Sequence, residues 1–292
     1  MAKFISAREA AQLIPDGATV GIGGMGLSGW AEEIACAIRD NFAETGHPCN
    51  LHLKQGSAMG DWGHGNNFIG WDRVRRDEPD KAHGARGATR FGEAGPGLIA
   101  KWTSAHIGSA FSLCDLARAE QLESYCLPQG VIINLWREIA AGRPGLITKT
   151  GLGTFVDPRV EGGRMNKSAK DELVKVVEFN GEEYLFYPGF KVDVALLRGT
   201  IADEKGNISF AHESVINEGL AIAEATKNSG GIVTGKKELA SIKIDPAAVD
   251  TEDMEMLQDL IVSAVNEGMR QIDEMTEKEM SKITGGIKLP GM

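Results

Sequence analysis

The sequence is short of cysteine, histidine and aromatic residues, and each scarcity closes off a class of function. Cys36, Cys49, Cys114 and Cys126 form no C-x-x-C pair, and four cysteines in 292 residues do not build a disulfide framework. They are expected to be buried, reduced thiols. The six histidines lack zinc-type spacing, so no metal site is expected. No apolar run approaches the ~20 residues that a membrane span requires, and no membrane partner is expected. Residues 1–17 hold no apolar core of signal-peptide length before the Asp16-Gly17 turn, which makes the cytoplasm the expected location. Positive charge is scarce as well. With 31 Lys and Arg against 41 Asp and Glu, the net charge of -10 argues against generic polyanion binding, which depends on basic side chains displacing condensed counterions.

What is present is an alternation of strands and helices. Ser6 and Glu9 form a capping box ahead of a short helix ending near Pro15. Ala18 to Ile22 reads as a strand, Gly23 to Gly29 as a tight loop and Trp30 to Phe42 as a helix. Leu51–Leu53, Ser124–Leu127 and Leu146–Lys149 read as further strands, and Ser112–Gln121 and Val131–Ala141 as helices. This order predicts an open, largely parallel, doubly wound α/β sheet over residues 1–233. Gly56 to Gly97, with ten glycines and little periodicity, reads as one long loop. Asn180-Gly181 marks a type I′ hairpin between KVVEF and EEYLFY, a local antiparallel excursion. Val192–Leu197 supplies an apolar strand and Ser214–Asn228 a helix. Composition then shifts. Residues 234–292 read as a short α+β tail: a strand at Leu239–Ile244, then a long acidic amphipathic helix from about Glu252 to Met280.

One generic motif suggests a nucleotide. Gly21, Gly23 and Gly26 satisfy G-x-G-x-x-G between a strand and a helix, so a nucleotide-binding α/β protein is an alternative. The ribose-binding acid expected about 20 residues on is missing, because Leu51-His52-Leu53 leads into Lys54-Gln55.

More specific is the run DGATVGIGGMGLSGW, residues 16–30. Together with Leu127-Pro128-Gln129-Gly130, with Gly151 to Arg159, with Gly162 to Asn166 and with Val192 to Leu196, in that order, it resembles the α-type half of the family I coenzyme A transferases. Met25 stands where that family usually has Phe, and Trp30-Ala31 where it often has proline. The resemblance implies an enzyme in which a glutamate carboxylate attacks an acyl-CoA thioester, holds CoA as a glutamyl thioester and yields it to a second carboxylic acid. CoA is then a substrate, and no cofactor is permanently bound. Splitting the transfer into covalent steps helps a weak nucleophile, and each tetrahedral intermediate needs donors aimed at its oxyanion. Gln129 stands at the family's side-chain oxyanion donor. Gly23, Gly24, Met25, Gly26 and Gly29, with Gly153, Thr154 and Phe155, are the implied substrate-binding residues. In this family the nucleophilic glutamate belongs to a β-type half, so the chain is expected to work in a hetero-oligomer and to be inactive alone. Glu93-Ala94-Gly95 is a superficial lookalike within the α-type half. Short-chain fatty acid or ketone-body metabolism is the implied setting.

The tail carries a second resemblance. Lys236 to Pro246, Asp253 to Leu260 and Thr284-Gly285-Gly286-Ile287 are similar to the C-terminal half of YbaB-type nucleoid-associated proteins. The expected division is therefore 1–233 and 234–292. Residues 236–292 carry seven basic and twelve acidic side chains, a net of -5, which argues against DNA as a partner. A further alternative is a non-catalytic fusion or interaction protein with a nucleoid-associated tail.

Overall fold

A computed structural model describes residues 5–26, 28–57, 89–108, 110–202, 206–213, 216 and 218–236. The strand and the helix expected after residue 238 lie outside the described residues, as do residues 58–88 of the expected long loop. In chain order the first elements are α1 (Ala7–Gln12), β1 (Thr19–Ile22), α2 (Glu32–Thr45), β2 (Leu51–Gln55), α3 (Thr89–Glu93), β3 (Ile99–Ser104), α4 (Phe111–Arg118), β4 (Glu123–Cys126) and α5 (Gln129–Ala140). They are followed by β5 (Gly145–Thr148), β6 (Lys175–Phe179), β7 (Glu182–Pro188), β8 (Val194–Arg198), β9 (Ile201–Ala202), β10 (Ile208–Ser209), α6 (Gly219–Asn228) and β11 (Ile232–Lys236).

Six strands form one sheet in the order β11-β8-β1-β2-β3-β4, with every neighbouring pair parallel. A parallel sheet needs both faces covered, and β8 shows it directly. Val194 and Leu196 join one core with Ile34 and Ile38 of α2 and Leu113 of α4. Ala195 and Leu197 join the other, with Leu135 and Trp136 of α5 and Ile222 of α6. The doubly wound parallel sheet is thus the observed architecture. The capping box of α1 is also present: the Glu9 N–H donates to Ser6 Oγ at 3.2 Å and the Ser6 N–H to Glu9 Oε2 at 2.8 Å.

Four expectations need correction. β5 does not continue the parallel sheet; it pairs antiparallel with β7 in a separate three-stranded sheet, β5-β7-β6. The turn after α5 reverses the chain onto β7, where the Gly189 N–H donates to Pro144 O at 2.8 Å. The hairpin within that sheet is as expected, with Asn180 and Gly181 at φ 54° and 77°. α6 starts at Gly219 rather than near residue 214, because Glu218 sits at φ 56° in the left-handed region and cannot continue a helix backwards. The expected long loop contains helix α3, whose Phe91 is fully buried. Of the four free thiols only Cys114 is buried; Cys36, Cys49 and Cys126 lie at a helix flank, a turn and a strand end and stay partly exposed.

Candidate active site

Parallel strands deliver all their following loops to one edge, and ligands of such sheets gather outside the carboxyl ends where the strand order reverses. Here the chain proceeds from β1 outward to β4 and then returns to β8 on the other side of β1, so the switch point lies between β1 and β8. Gly23, Gly24 and Gly29 face Leu197, Arg198 and Phe210 across it. Met25 and Ser28 exchange backbone hydrogen bonds of 2.8 and 3.0 Å, closing the loop into a tight ring. Gly24, Gly26 and Gly29 adopt φ of 100°, 60° and 74°, conformations that tolerate glycine and few other residues. Gly23, Gly26 and Gly29 are buried, and among the loop's described residues it is chiefly the half-exposed side chain of Met25 that faces solvent.

Two helix starts reach this edge with opposite electrostatics. A helix amino terminus carries partial positive charge and unpaired N–H groups. At α2 that charge is already answered by Glu32 and Glu33 in the first turn, and Glu32 is further held by Arg90 Nε at 2.6 Å and Trp30 Nε1 at 2.6 Å. An anion is repelled there, which counts against both an anion site at this helix start and the nucleotide alternative. At α5 the first turn has no acid and no side-chain cap. Gln129 is its first residue, follows the N-cap Pro128 and is exposed. The amide thus stands on an unneutralised helix start.

Residues 151–166 wrap the outer edge of β4 beside this turn. The Gly163 N–H donates to Phe155 O at 3.0 Å, and Gly163 O accepts the Cys126 N–H at 2.8 Å. Gly163 is at φ 75°, and a Cβ there would stand 2.8 Å from Cys126 O and 3.0 Å from Leu127 Cδ2. Phe155 is thereby tied to the Leu127-Pro128-Gln129 turn. Gly153 and Thr154 are exposed, and Thr154 Oγ1 donates to Gly151 O at 2.8 Å within its own turn. The Gly23–Gly29 loop follows β1, three strand spacings or about 14 Å across the sheet from the loop following β4. It shares the edge with Gln129 but not a described pocket.

Two residues that sequence reading passed over organise the site. Asp157, 1% exposed, accepts the Gly153 N–H at 2.9 Å, the Arg159 N–H at 3.0 Å and the Arg159 guanidinium at 2.8 Å. The Arg159 guanidinium, then the Gly153 N–H, hold its carboxyl far below the usual range. Asp157→Ala leaves those donors unanswered and should lower stability by about 2 kcal/mol. Because the folded pKa is depressed, the Asp157 contribution is present above the ordinary carboxylate range and lost as pH falls through it. Denaturant unfolding should show a gap between the two proteins at pH 7 that narrows in acid; equal midpoints at pH 7 would refute this role. The signal was the acid-and-arginine spacing in Asp157-Pro158-Arg159.

The second is Lys54, whose strand alternates Leu51 and Leu53 toward one core and His52 and Lys54 toward the other face. Lys54 Nζ donates to Thr103 Oγ1 at 3.0 Å and lies 5.2 Å from the centre of the Phe190 ring. Burial pushes this ammonium down to about 8. Its acidic neighbour Asp171 pairs instead with Lys101 at 2.6 Å. Among the described residues no group of His, Cys, Asp or Glu is arranged to hold a metal, and no helix is long and apolar enough to cross a membrane.

A caffeate CoA-transferase of Acetobacterium woodii is 60% identical over 266 residues, 91% of this chain and 46% of that protein. The crystal structure of an acyl-CoA transferase from E. coli O157:H7, YdiF, in a thioester complex with CoA superposes with a TM-score of 0.70 at 33% identity, covering 84% of this chain and 44% of that one. Residues 216–287 match the YbaB/EbfC DNA-binding family. A nucleoid-associated protein of Moorella thermoacetica is 62% identical over 66 residues, 21% of this chain and 64% of that protein. Over its α/β region the chain is homologous to CoA transferases, and over residues 216–287 it matches the YbaB/EbfC DNA-binding family.

The chain spans less than half the length of these two CoA transferases. The YbaB/EbfC match begins at residue 216 and so takes in α6 and β11, which in this chain belong to the sheet through the pairing of β11 with β8. A match to a DNA-binding family stands against the expectation, drawn from net charge, that DNA is an unlikely partner.

Proposed function

We propose that residues 1–233 act as the α-type half of a CoA transferase. It moves CoA between an acyl-CoA and a carboxylic acid through a glutamyl-CoA thioester carried on a β-type half, with residues 234–292 as a distinct segment. The observation that carries this reading is Gln129, exposed at the acid-free start of α5, where a neutral amide stands at a helix end that carries partial positive charge. CoA is a substrate, no cofactor is resident, and the complex is a cytoplasmic hetero-oligomer. The caffeate CoA-transferase relative favours an aryl-substituted propenoic acid as the acid substrate over a short-chain or 3-oxo acid.

The nucleophile is not Glu93. Its carboxylate is held by Arg39 at 3.1 Å and Arg90 at 3.3 Å on the α2–α3 side, which ties it into a structural ion-pair network. The purified chain should therefore exchange no CoA by itself, and exchange should appear on adding a β-type half that contains a Glu-Ser-Gly or Glu-Asn-Gly segment. Hydroxylamine trapping should mark a glutamate of that added half. Full turnover by the isolated chain, with the trapped thioester at Glu93, would overturn the division of labour. A second reading, a DNA-associated role for residues 216–287, rests on the family match alone; retardation of duplex DNA at physiological salt would support it.

A further inference from the structure

Directly beneath the β4–α5 turn lies a cavity of about 380 Å³, within the size range of small-molecule sites. Its apolar lining is Leu127, Ile132, Leu135, Leu173 and the Phe190 ring, and its polar lining is Lys54, Thr103, Asp171 and Glu172. Leu127 and Ile132, which flank Gln129 in sequence, place the cavity next to the proposed oxyanion position. Lys54 and Thr103 lie on one row of the sheet, where Lys54 stands opposite Thr103 and Thr103 opposite Tyr125. Gln129 follows Tyr125 by four residues, a reach of at most about 14 Å.

Among the described residues the half-buried Lys54 ammonium hydrogen-bonds the Thr103 hydroxyl and forms no ion pair, while its acidic neighbours Asp171 and Glu123 both contact Lys101 at 2.6 and 3.4 Å. That arrangement is itself built: the Tyr125 hydroxyl accepts the backbone N–H groups of Lys170 and Asp171 at 2.9 and 2.8 Å, which fixes the loop forming one wall. Phe190 is held in turn by an edge-to-face contact with Trp136, ring centres 5.1 Å apart.

Resting on the proposed transferase reading, we infer that this cavity receives the body of the acyl group and that Lys54 recognises a hydrogen-bond-accepting substituent at its far end. The reacting carboxyl group sits at Gln129, outside the cavity, so Lys54 meets the opposite end of the molecule. The apolar walls and the Phe190 ring suit a planar aromatic body, and the ammonium and hydroxyl suit a ring oxygen. Lys54 is therefore a specificity residue, and it takes no part in the transfer itself.

The test uses the full chain and two probes, 3-phenylpropenoate and its para-hydroxylated form, titrated calorimetrically. The hydroxylated probe should bind at least about tenfold more tightly, and Lys54→Met should erase that preference while leaving the affinity for 3-phenylpropenoate within about twofold. Lys54→Arg, which keeps the charge, should retain part of the preference, and the thermal transition of each variant shows whether it is folded. Equal affinities in the wild-type chain, a preference that survives Lys54→Met, or no binding of either probe would overturn the inference. Loss of CoA transfer in the reconstituted complex with the binding preference intact would refute the transferase reading and leave the cavity assignment standing.

Discussion

Replacing Gln129 with alanine in the reconstituted transferase is expected to lower kcat by roughly 10² to 10³, the loss seen when one oxyanion donor is removed, about 2.7 to 4 kcal/mol of transition-state stabilisation. The reason is local. Gln129 lies at the first position of α5, where no carboxylate offsets the helix charge and no side chain caps the N–H groups, so a developing oxyanion meets donors that need no reorganisation. The side chain is exposed and makes no hydrogen bond among the described residues, so the substitution should leave stability nearly unchanged. KM for the acyl-CoA should also change little, because the amide acts on charge that appears only in the transition state. A fall in kcat below tenfold, or a rise in KM that accounts for the whole loss, would show that Gln129 is only a helix-start residue. Glutamate at this position should be worse than alanine, since its carboxylate would place negative charge where the oxyanion forms.

Lys54→Met should stabilise the chain, by on the order of 3 kcal/mol at pH 7 if the whole shift of the ammonium from its ordinary range to about 8 is expressed. The sign follows from proton linkage. Between pH 8 and the ordinary lysine value the unfolded chain carries a proton that the folded chain lacks, so wild-type stability rises with pH through that window. Below it, the folded state bears the full cost of a poorly solvated ammonium. Asp171 and Glu172 line the cavity with Lys54, and His52, Lys101 and Glu123 are further neighbours of its charge; Asp171 and Glu123 favour the charged form and Lys101 opposes it, but burial outweighs them. Guanidinium unfolding at pH 7 and at pH 10 should show the advantage of Lys54→Met shrinking as the wild-type lysine loses its proton. A variant less stable than wild type at pH 7 would mean that Lys54 is a structural anchor. A residue that weakens the fold while lining a cavity fits a binding role better than a packing one.

The amino-acid sequence by itself determined the local chemistry of the chain: the Ser6–Glu9 cap, the Asn180-Gly181 hairpin, and the strand-loop-helix around Gly23 to Gly29 each depend on residues only a few positions apart. Alternation of such units was enough to predict a parallel sheet with helices on both faces. It could not decide which strands leave that sheet, and β5 does, because the choice rests on a turn at Pro144 meeting Gly189 far along the chain. Nor could it separate Gln129 as a turn residue from Gln129 as the open start of a helix, since the missing acid matters only once α5 is seen to begin there. Lys54 was invisible as a site residue for the same reason, and the Asp157-Pro158-Arg159 spacing was only a faint signal. The donors around Asp157 are brought together by a folded loop, and Lys54 becomes an unusual lysine only when Thr103, Phe190 and the walls of the cavity close around it. Charge and hydrogen-bonding capacity are written in the residue type; whether water or protein answers them is decided by contacts between segments that the chain order keeps apart.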